Sequence, residues 1–309
     1  MSWVLFTLGA VFLQTGRNAL QSKLSDKVDT LGVTLSRFLF APPIALAYLL
    51  LLSYLSQPSF DSHANVQPAW LELPQFSLSF VLVVVLAALL QIAATSFMVM
   101  LFKQRNFAIG AGLAKSEALV AGILGTLFFG SYLSVIGWLG IVLGGVAVFV
   151  LSAGKSVQQS ATRSLSTKTL CIGLASGACF ALTSLFVREA SHLLALPLKQ
   201  AAAWVLLWVV SIQAAGLSLY IFIRKPNILK QMLANVHTVL VISTVSCLGS
   251  VCWFTAMALQ HVAYVKTLGQ IEVLLTLLLA HFWLNDKVSK REIIGLLLIG
   301  VAATMVMWA

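Results

Sequence analysis

Long apolar runs follow one another along almost the whole chain, separated by short polar segments. A helix needs about 20 apolar residues to cross the hydrocarbon core of a bilayer. Runs of this length occur ten times, at residues 3–22, 30–54, 78–102, 107–130, 132–153, 169–190, 199–223, 236–259, 263–284 and 291–308. Together they leave no stretch long enough for a separate soluble domain. The pattern predicts an all-α polytopic membrane protein with ten transmembrane helices.

The two halves of the chain resemble each other. When the sequence is moved along itself by 155 residues, 11 of the 40 positions from 108 to 147 find an identical partner. Apolar sequence produces some of these matches by chance, leucines above all. The match of Glu117 with Glu272, and of the Gly-x-x-x-x-Gly-Val-Ala segment that begins at Gly140 with the one that begins at Gly295, is less easily accidental. An internal duplication is therefore predicted.

This duplication predicts the domain organisation. Residues 1–153 form the first five-helix repeat, and residues 169–309 form the second. Residues 154–168 lie between them and are rich in Ser, Thr, Gln and basic residues, which predicts a polar linker. Because five is an odd number, the second repeat must enter the membrane from the opposite side, as in transporters built from inverted repeats.

Composition and charge agree with a membrane protein. The chain is 60% apolar and only 9% charged, whereas about a quarter of the residues in soluble domains are charged. A net charge of +10 is typical of many nucleic-acid-binding proteins, but here the cations are concentrated in the loops between the predicted spans. Thirteen lie in loops of one predicted face, and Arg188 and Lys199 lie on the other. By the positive-inside rule, the basic face is cytoplasmic and both termini are non-cytoplasmic, in a cell (inner) membrane.

Six ionisable residues remain inside the predicted spans, where a charge costs at least a few kcal/mol and marks a candidate functional site. Gln14, Asn18 and Gln21 recur beside one of them at about helical spacing. We interpret these positions as the lining of a central polar cavity, in which cations attract an anionic or carboxylate-bearing group and carboxylates neutralise charge or relay protons. The candidate substrate-binding residues are Arg17, Asn18, Arg37, Lys115, Trp253, Tyr264 and Gln270, and the candidate coupling residues are Glu117 and Glu272.

A structural interpretation of the same charges stays open. Arg17 or Arg37 could pair with Glu117 and simply hold helices in register, since partnered buried charges also serve as scaffolding. The sixth ionisable residue, Lys266, lies only a few residues from the external end of its span. Its side chain is expected to reach water from there.

The segment Lys115-Ser116-Glu117-Ala118-Leu119-Val120 and the LFFGSYLSVIGWLGIVLGGVAV that follows soon after it resemble the fourth-to-fifth-helix signature of the drug/metabolite transporter superfamily, specifically its EamA-like exporters. Gln270-Ile271-Glu272-Val273, with the later NDKVSKREIIGLLLIGVAA, is similar to a second copy. The family commonly has proline after the glutamate, where this chain has Ala118 and Val273. The resemblance therefore does not extend to a proline kink there. It implies export of amino acids, metabolites or drugs by alternating access, often coupled to protons or to exchange.

The functional hypothesis is a secondary active transporter, an exporter of a small organic solute such as an amino acid or metabolite. The alternatives are an exporter of multiple drugs or cationic compounds and, with much less support, an intramembrane enzyme, because the chain contains no H-E-x-x-H motif and no G-x-S-x-G nucleophile motif. Expected partners are the solute and the lipid bilayer, and neither a cofactor, a metal nor nucleic acid is expected. Ten spans can enclose a cavity within a single chain, so a monomer is sufficient.

Overall fold

The computed structural model describes residues 2–55, 74–103, 116–159, 167–272, 275 and 290–309. Helices account for nearly all of these residues, and no strand occurs among them. In chain order the helices are α1 (Ser2–Ser25), α2 (Thr30–Ser36), α3 (Ala41–Leu55), α4 (Leu78–Lys103), α5 (Glu117–Phe128), α6 (Val135–Gln159), α7 (Thr167–His192), α8 (Leu198–Arg224), α9 (Asn227–Leu233), α10 (Val236–Leu259), α11 (Val262–Leu268), a 3-10 helix (Gly269–Ile271) and α12 (Lys290–Met307).

Five segments in the described part of the chain are long and apolar enough to cross a membrane: Thr30–Leu55, Leu78–Leu101, Cys171–His192, Leu198–Arg224 and Val236–Leu259. Shorter apolar helices occur at Glu117–Phe128, Val135–Ala147 and Leu297–Met307. All eight fall inside or almost inside predicted spans. The all-helical, multi-span architecture is therefore confirmed, and the number ten and the inverted repeat stay predictions.

The predicted linker, residues 154–168, is partly helical. Helix α6 continues to Gln159, and α7 begins at Thr167. Residues 160–166 lie outside the described residues. Ser, Gln and Lys are tolerated in helices, so a polar stretch can extend a membrane helix into water.

The second predicted span, 30–54, is not one continuous helix. Helix α2 ends at Ser36 and α3 begins at Ala41, with turns between them. The cause is Pro42 and Pro43, which lack an N–H and whose rings clash with carbonyls four residues earlier, yet fit the first turn of α3. The backbone adapts with tighter bonds, such as Arg37 N–H to the Thr34 carbonyl at 3.2 Å. Arg37 therefore sits at a break between two helices.

The ninth predicted span, 263–284, changes its winding in the described part. Helix α11 ends at Leu268 and tightens into the 3-10 helix Gly269–Ile271, which leads directly to Glu272. A 3-10 stretch inside a longer helical run often marks a hinge or a functional position. Glu272, like Arg37, therefore lies where regular helix geometry is interrupted.

Four pairs of helices make the most extensive contacts: α1 with α10, α4 with α7, α6 with α12, and α3 with α8. The outward faces of the bundle carry large apolar side chains, such as Leu5, Phe12 and Phe222. Arg17, Gln21, Thr95 and Gln213 are buried instead. A soluble protein rarely exposes so much contiguous apolar surface, but a helix bundle surrounded by lipid does.

Candidate functional site

The Glu272 carboxylate is bound by two amide side chains from α1. Gln14 Nε2 donates to Oε2 at 2.8 Å, and Asn18 Nδ2 donates to Oε1 at 2.9 Å. The two amides converge because residues four apart lie on the same face of a helix. Arg17 Nη2 in turn donates to Asn18 Oδ1 at 2.9 Å, and its charge interacts with that of Glu272. The carboxylate and the guanidinium are almost fully buried.

Trp253 of α10 extends this network. Its indole Nε1 donates to Gln14 Oε1 at 2.9 Å, so Gln14 bridges the indole and the Glu272 carboxylate. The Trp253 ring rests against the backbone of Gly269, where an added Cβ would lie only 2.7 Å from ring atom Cη2. The absence of a side chain at Gly269 therefore gives Trp253 its position.

Lys266 of α11 links the indole to a second carboxylate. Its Nζ lies 4.4 Å from the centre of the Trp253 ring and forms an ion pair with Glu117 Oε1 at 2.5 Å. Ser184 of α7 donates to the same oxygen at 3.4 Å. Glu117 is the first residue of α5, where the helix dipole favours a negative charge. The expectation that Lys266 reaches water is wrong, because the side chain is only 11% exposed.

Arg37 lies in a third position, at the break between α2 and α3. Its Nη1 donates to Thr95 Oγ1 at 3.0 Å. The rings of Phe38 and Phe180 lie 5.4 Å and 6.0 Å from its guanidinium carbon. The residue is 4% exposed, and its Nε has no hydrogen-bond partner among the described residues.

Two other predicted residues pack elsewhere against α6. The Tyr264 hydroxyl accepts a bond from the backbone N–H of Ser134 at 3.0 Å, and its ring covers Gly137. Gln270 lies against Gly144, and neither polar atom of its side chain has a hydrogen-bond partner in the described part of the chain. The structure does not join either residue to the Glu272 network by a hydrogen bond that it describes. The remaining candidate, Lys115, lies outside the described residues.

A separate polar cluster closes the end of α10. Arg188 Nη1 donates to the carbonyls of Met257 at 2.9 Å and Gln260 at 2.7 Å, which satisfies groups left unpaired at a helix end. His261 follows α10 outside the candidate spans. Burial lowers the pKa of this imidazole below its ordinary value, and the positive charge of Arg188 and the neighbouring His192 lower it further.

Comparisons with known proteins address the family. The model of the EamA-like transporter family matches residues 167–308. This part of the chain belongs to the EamA-like transporter family, within the drug/metabolite transporter superfamily. A solved crystal structure with 16% sequence identity superposes with a TM-score of 0.68, over 99% of this chain and 98% of the other. That likeness shows the fold alone. A search of curated proteins finds no match.

EamA-like proteins are membrane transporters of small solutes, and the described apolar helices agree with a multi-pass membrane protein. The family is consistent with a transporter rather than an enzyme. The structure joins five predicted residues into one network: Arg17, Asn18, Glu117, Trp253 and Glu272.

Two members of this network were considered in the sequence analysis but were not among the candidate substrate-binding or coupling residues. Gln14 bridges Glu272 and Trp253, and its spacing from Asn18 was the available signal. Lys266 was recognisable as a cation inside a predicted span, but its position near the external end of that span led to the prediction that its side chain reaches water. The alternative pairing of Glu117 with Arg17 or Arg37 is not observed, because the ion pair that the structure describes for Glu117 is with Lys266.

Proposed function

We propose that this EamA-like protein is a secondary active transporter that exports a small organic solute, such as an amino acid or metabolite, by alternating access. The proposal includes ten spans in two inverted five-helix repeats, residues 1–153 and 169–309. It also includes a cell (inner) membrane location with both termini non-cytoplasmic, for which the distribution of loop cations is the support.

The pairing of helices supports the inverted repeat. If the first and sixth spans are equivalent, and so on to the fifth and tenth, then α1 with α10 and α4 with α7 are the same contact made twice. The contacts α3 with α8, α5 with α11 and α6 with α12 each join a helix to its own equivalent. Such a pattern is expected from two halves related by a pseudo-two-fold axis.

The observation that carries the transport proposal is the polar network between these halves. Arg17, Gln14 and Asn18 belong to the first half, and Trp253 and Glu272 belong to the second. Buried charges inside a membrane bundle are costly and mark solute or ion pathways. A network that crosses the interface between halves must rearrange when the halves rock, so its strength depends on the conformational state.

The two glutamates are the proposed coupling groups. Glu272 accepts from two amides, and Glu117 is paired with Lys266. Protonation of Glu272 turns one acceptor oxygen into a hydroxyl, which cannot accept from an amide N–H in the same way. Loss of that charge would weaken the attachment of α11 and the 3-10 helix to α1, so proton binding and movement of the halves would be linked.

The test is transport by purified protein in liposomes that hold a panel of amino acids and organic acids, with and without a pH gradient. Counterflow of at least one solute is expected, together with its acceleration by the pH gradient. Glu272→Gln is expected to retain the fold and lose the acceleration by the pH gradient. Glu189→Gln, the same chemical change on a glutamate outside the network, is the matched control and should behave as the unmodified protein.

Three results would contradict the proposal. The first is the absence of counterflow for every solute in the panel, and the second is coupling in Glu272→Gln equal to that in the control. The third is single-channel current without counterflow, which would indicate a pore instead of alternating access.

A further inference from the structure

Arg37 differs from the other buried charges because neither a described ion pair nor a described hydrogen-bonded side chain links it to a carboxylate. Glu117 is the partner of Lys266, and Glu272 is held beside Arg17 through Asn18. Arg37 interacts electrostatically with Arg17 and Glu117 from a distance, without a described ion pair to either. One hydrogen bond, to Thr95, satisfies one of its five N–H groups.

A buried guanidinium in this condition is unusual because desolvation of a charge costs several kcal/mol unless a partner compensates. The rings of Phe38 and Phe180 offset a part of this cost. They lie against the guanidinium and leave Nε without an acceptor. A flat cation with an unused N–H and aromatic neighbours has the geometry that binds a carboxylate through two parallel bonds.

The balance of charge around Arg37 also favours a carboxylate-bearing solute. The ionisable groups described in the network and at Arg37 are three largely buried cations (Arg17, Arg37 and Lys266) and two carboxylates (Glu117 and Glu272), which leaves one positive charge in excess among these five groups. A solute carboxylate bound at Arg37 would offset this excess locally. A cationic solute would increase the excess, which disfavours the cationic-compound alternative.

We propose that Arg37 is the anion-binding group of the transport site and that the solute carries a carboxylate. This proposal rests on the proposed transport function and names its substrate class. The Arg37 fork receives the carboxylate, and Phe38 and Phe180 contact the apolar part next to it. Arg17 has a different role, because Asn18 already uses its N–H groups and Glu272 balances its charge.

The test uses matched pairs of ligands that differ in the carboxylate alone. Aliphatic and aromatic carboxylic acids, amino acids included, are compared with the corresponding amides by thermal shift of the purified full-length protein. At least one carboxylate should raise the melting temperature more than its amide does. Its dissociation constant should weaken by about tenfold or more in Arg37→Gln, as expected for loss of a hydrogen-bonded charge partner.

The variants separate shape from charge. Arg37→Lys keeps the positive charge and loses the fork, so intermediate weakening is expected. Arg224→Gln removes an exposed guanidinium at the end of α8 and should leave the preference unchanged. Arg37→Lys serves as the folded variant if Arg37→Gln does not fold.

Each outcome decides between the two proposals. The carboxylate proposal is overturned if every acid and its amide shift the melting temperature equally, if the preference survives both Arg37 variants, or if Arg224→Gln abolishes it to the same degree. Transport of amides or amines without a carboxylate preference would overturn this inference and leave the transport function intact. Carboxylate binding that depends on Arg37, without counterflow of any solute, would overturn the transport function and leave the carboxylate-binding role of Arg37 intact.

Discussion

Replacing Gly269 with alanine tests whether the 3-10 helix and Trp253 form one packed unit. The backbone of Gly269 is right-handed helical, with φ −60° and ψ −17°, so alanine is compatible with its conformation. In this setting the main consequence of the substitution is steric. The new Cβ would lie 2.7 Å from Trp253 Cη2, whereas carbon atoms prefer a separation of about 3.5–4.0 Å.

The indole has little freedom to move away. Its Nε1 is bound to Gln14 at 2.9 Å, and Lys266 lies over its face at 4.4 Å from the ring centre. Relief of the clash by about 1 Å would therefore stretch one of these contacts or move the 3-10 helix. Overpacking of a close-packed interior in this way lowers the free energy of unfolding by about 1–3 kcal/mol. The ordinary gain from replacing glycine by alanine in a helix, about 0.5–1 kcal/mol, is smaller, so the net change is expected to be destabilising.

The assay is thermal unfolding of the purified protein in detergent, with Gly216→Ala as the matched control. Gly216 lies in α8, and no atom is found within 4 Å of an added Cβ, so this variant should be neutral or slightly stabilised. Trp253→Phe removes the part of the ring that Gly269→Ala would strike. In that background the loss of unfolding free energy caused by Gly269→Ala should be smaller by about 1 kcal/mol or more, because the effects of substitutions at contacting residues are coupled. Equal effects at the two glycines, or costs that add without coupling, would refute this account of the packing.

Three further outcomes are expected. Arg188→Met should lower the free energy of unfolding by about 1.5–3 kcal/mol, because the carbonyls at the end of α10 lose a charged donor, and Arg188→Lys should recover a part of this in chemical denaturation. The pKa of His261 is lowered below 6.5 in the folded chain, so the unfolded chain binds this proton at a higher pH than the folded chain does. The melting temperature should therefore fall more for the native protein than for His261→Gln when the pH is lowered from 7 to 5. Gln213→Leu should destabilise by about 1–3 kcal/mol because Gln91 loses its 2.7 Å donor; adding Gln91→Leu should restore a part, and no recovery would argue against a paired amide contact.

Much of the fold follows from the sequence because the membrane restricts the choice of structure. Where no water can satisfy backbone groups, a long apolar run has to be helical, so runs such as 78–102 and 199–223 predict α4 and α8 to within a residue or two. The break before α3 is a different case. Pro42 and Pro43 provide its local signal, but hydropathy does not reveal it because all residues from 38 to 52 are apolar or proline.

The partners inside the bundle depend on the tertiary structure. The sequence by itself determined an all-helical, multi-span membrane protein. It also identified the charges inside the predicted spans, because the type of a residue and its depth along an apolar run can both be read from the sequence. Which charge meets which depends on how helices far apart in the chain rotate and tilt against each other. Lys266 and Glu117 are 149 positions apart, and Gln14 and Glu272 are 258 apart. Packing of α11 beside α5 and α1 therefore decided that Glu117 has a lysine partner and that two amides hold Glu272. The position of Arg37 between α2 and α3 leaves its Nε without a hydrogen-bond partner among the described residues.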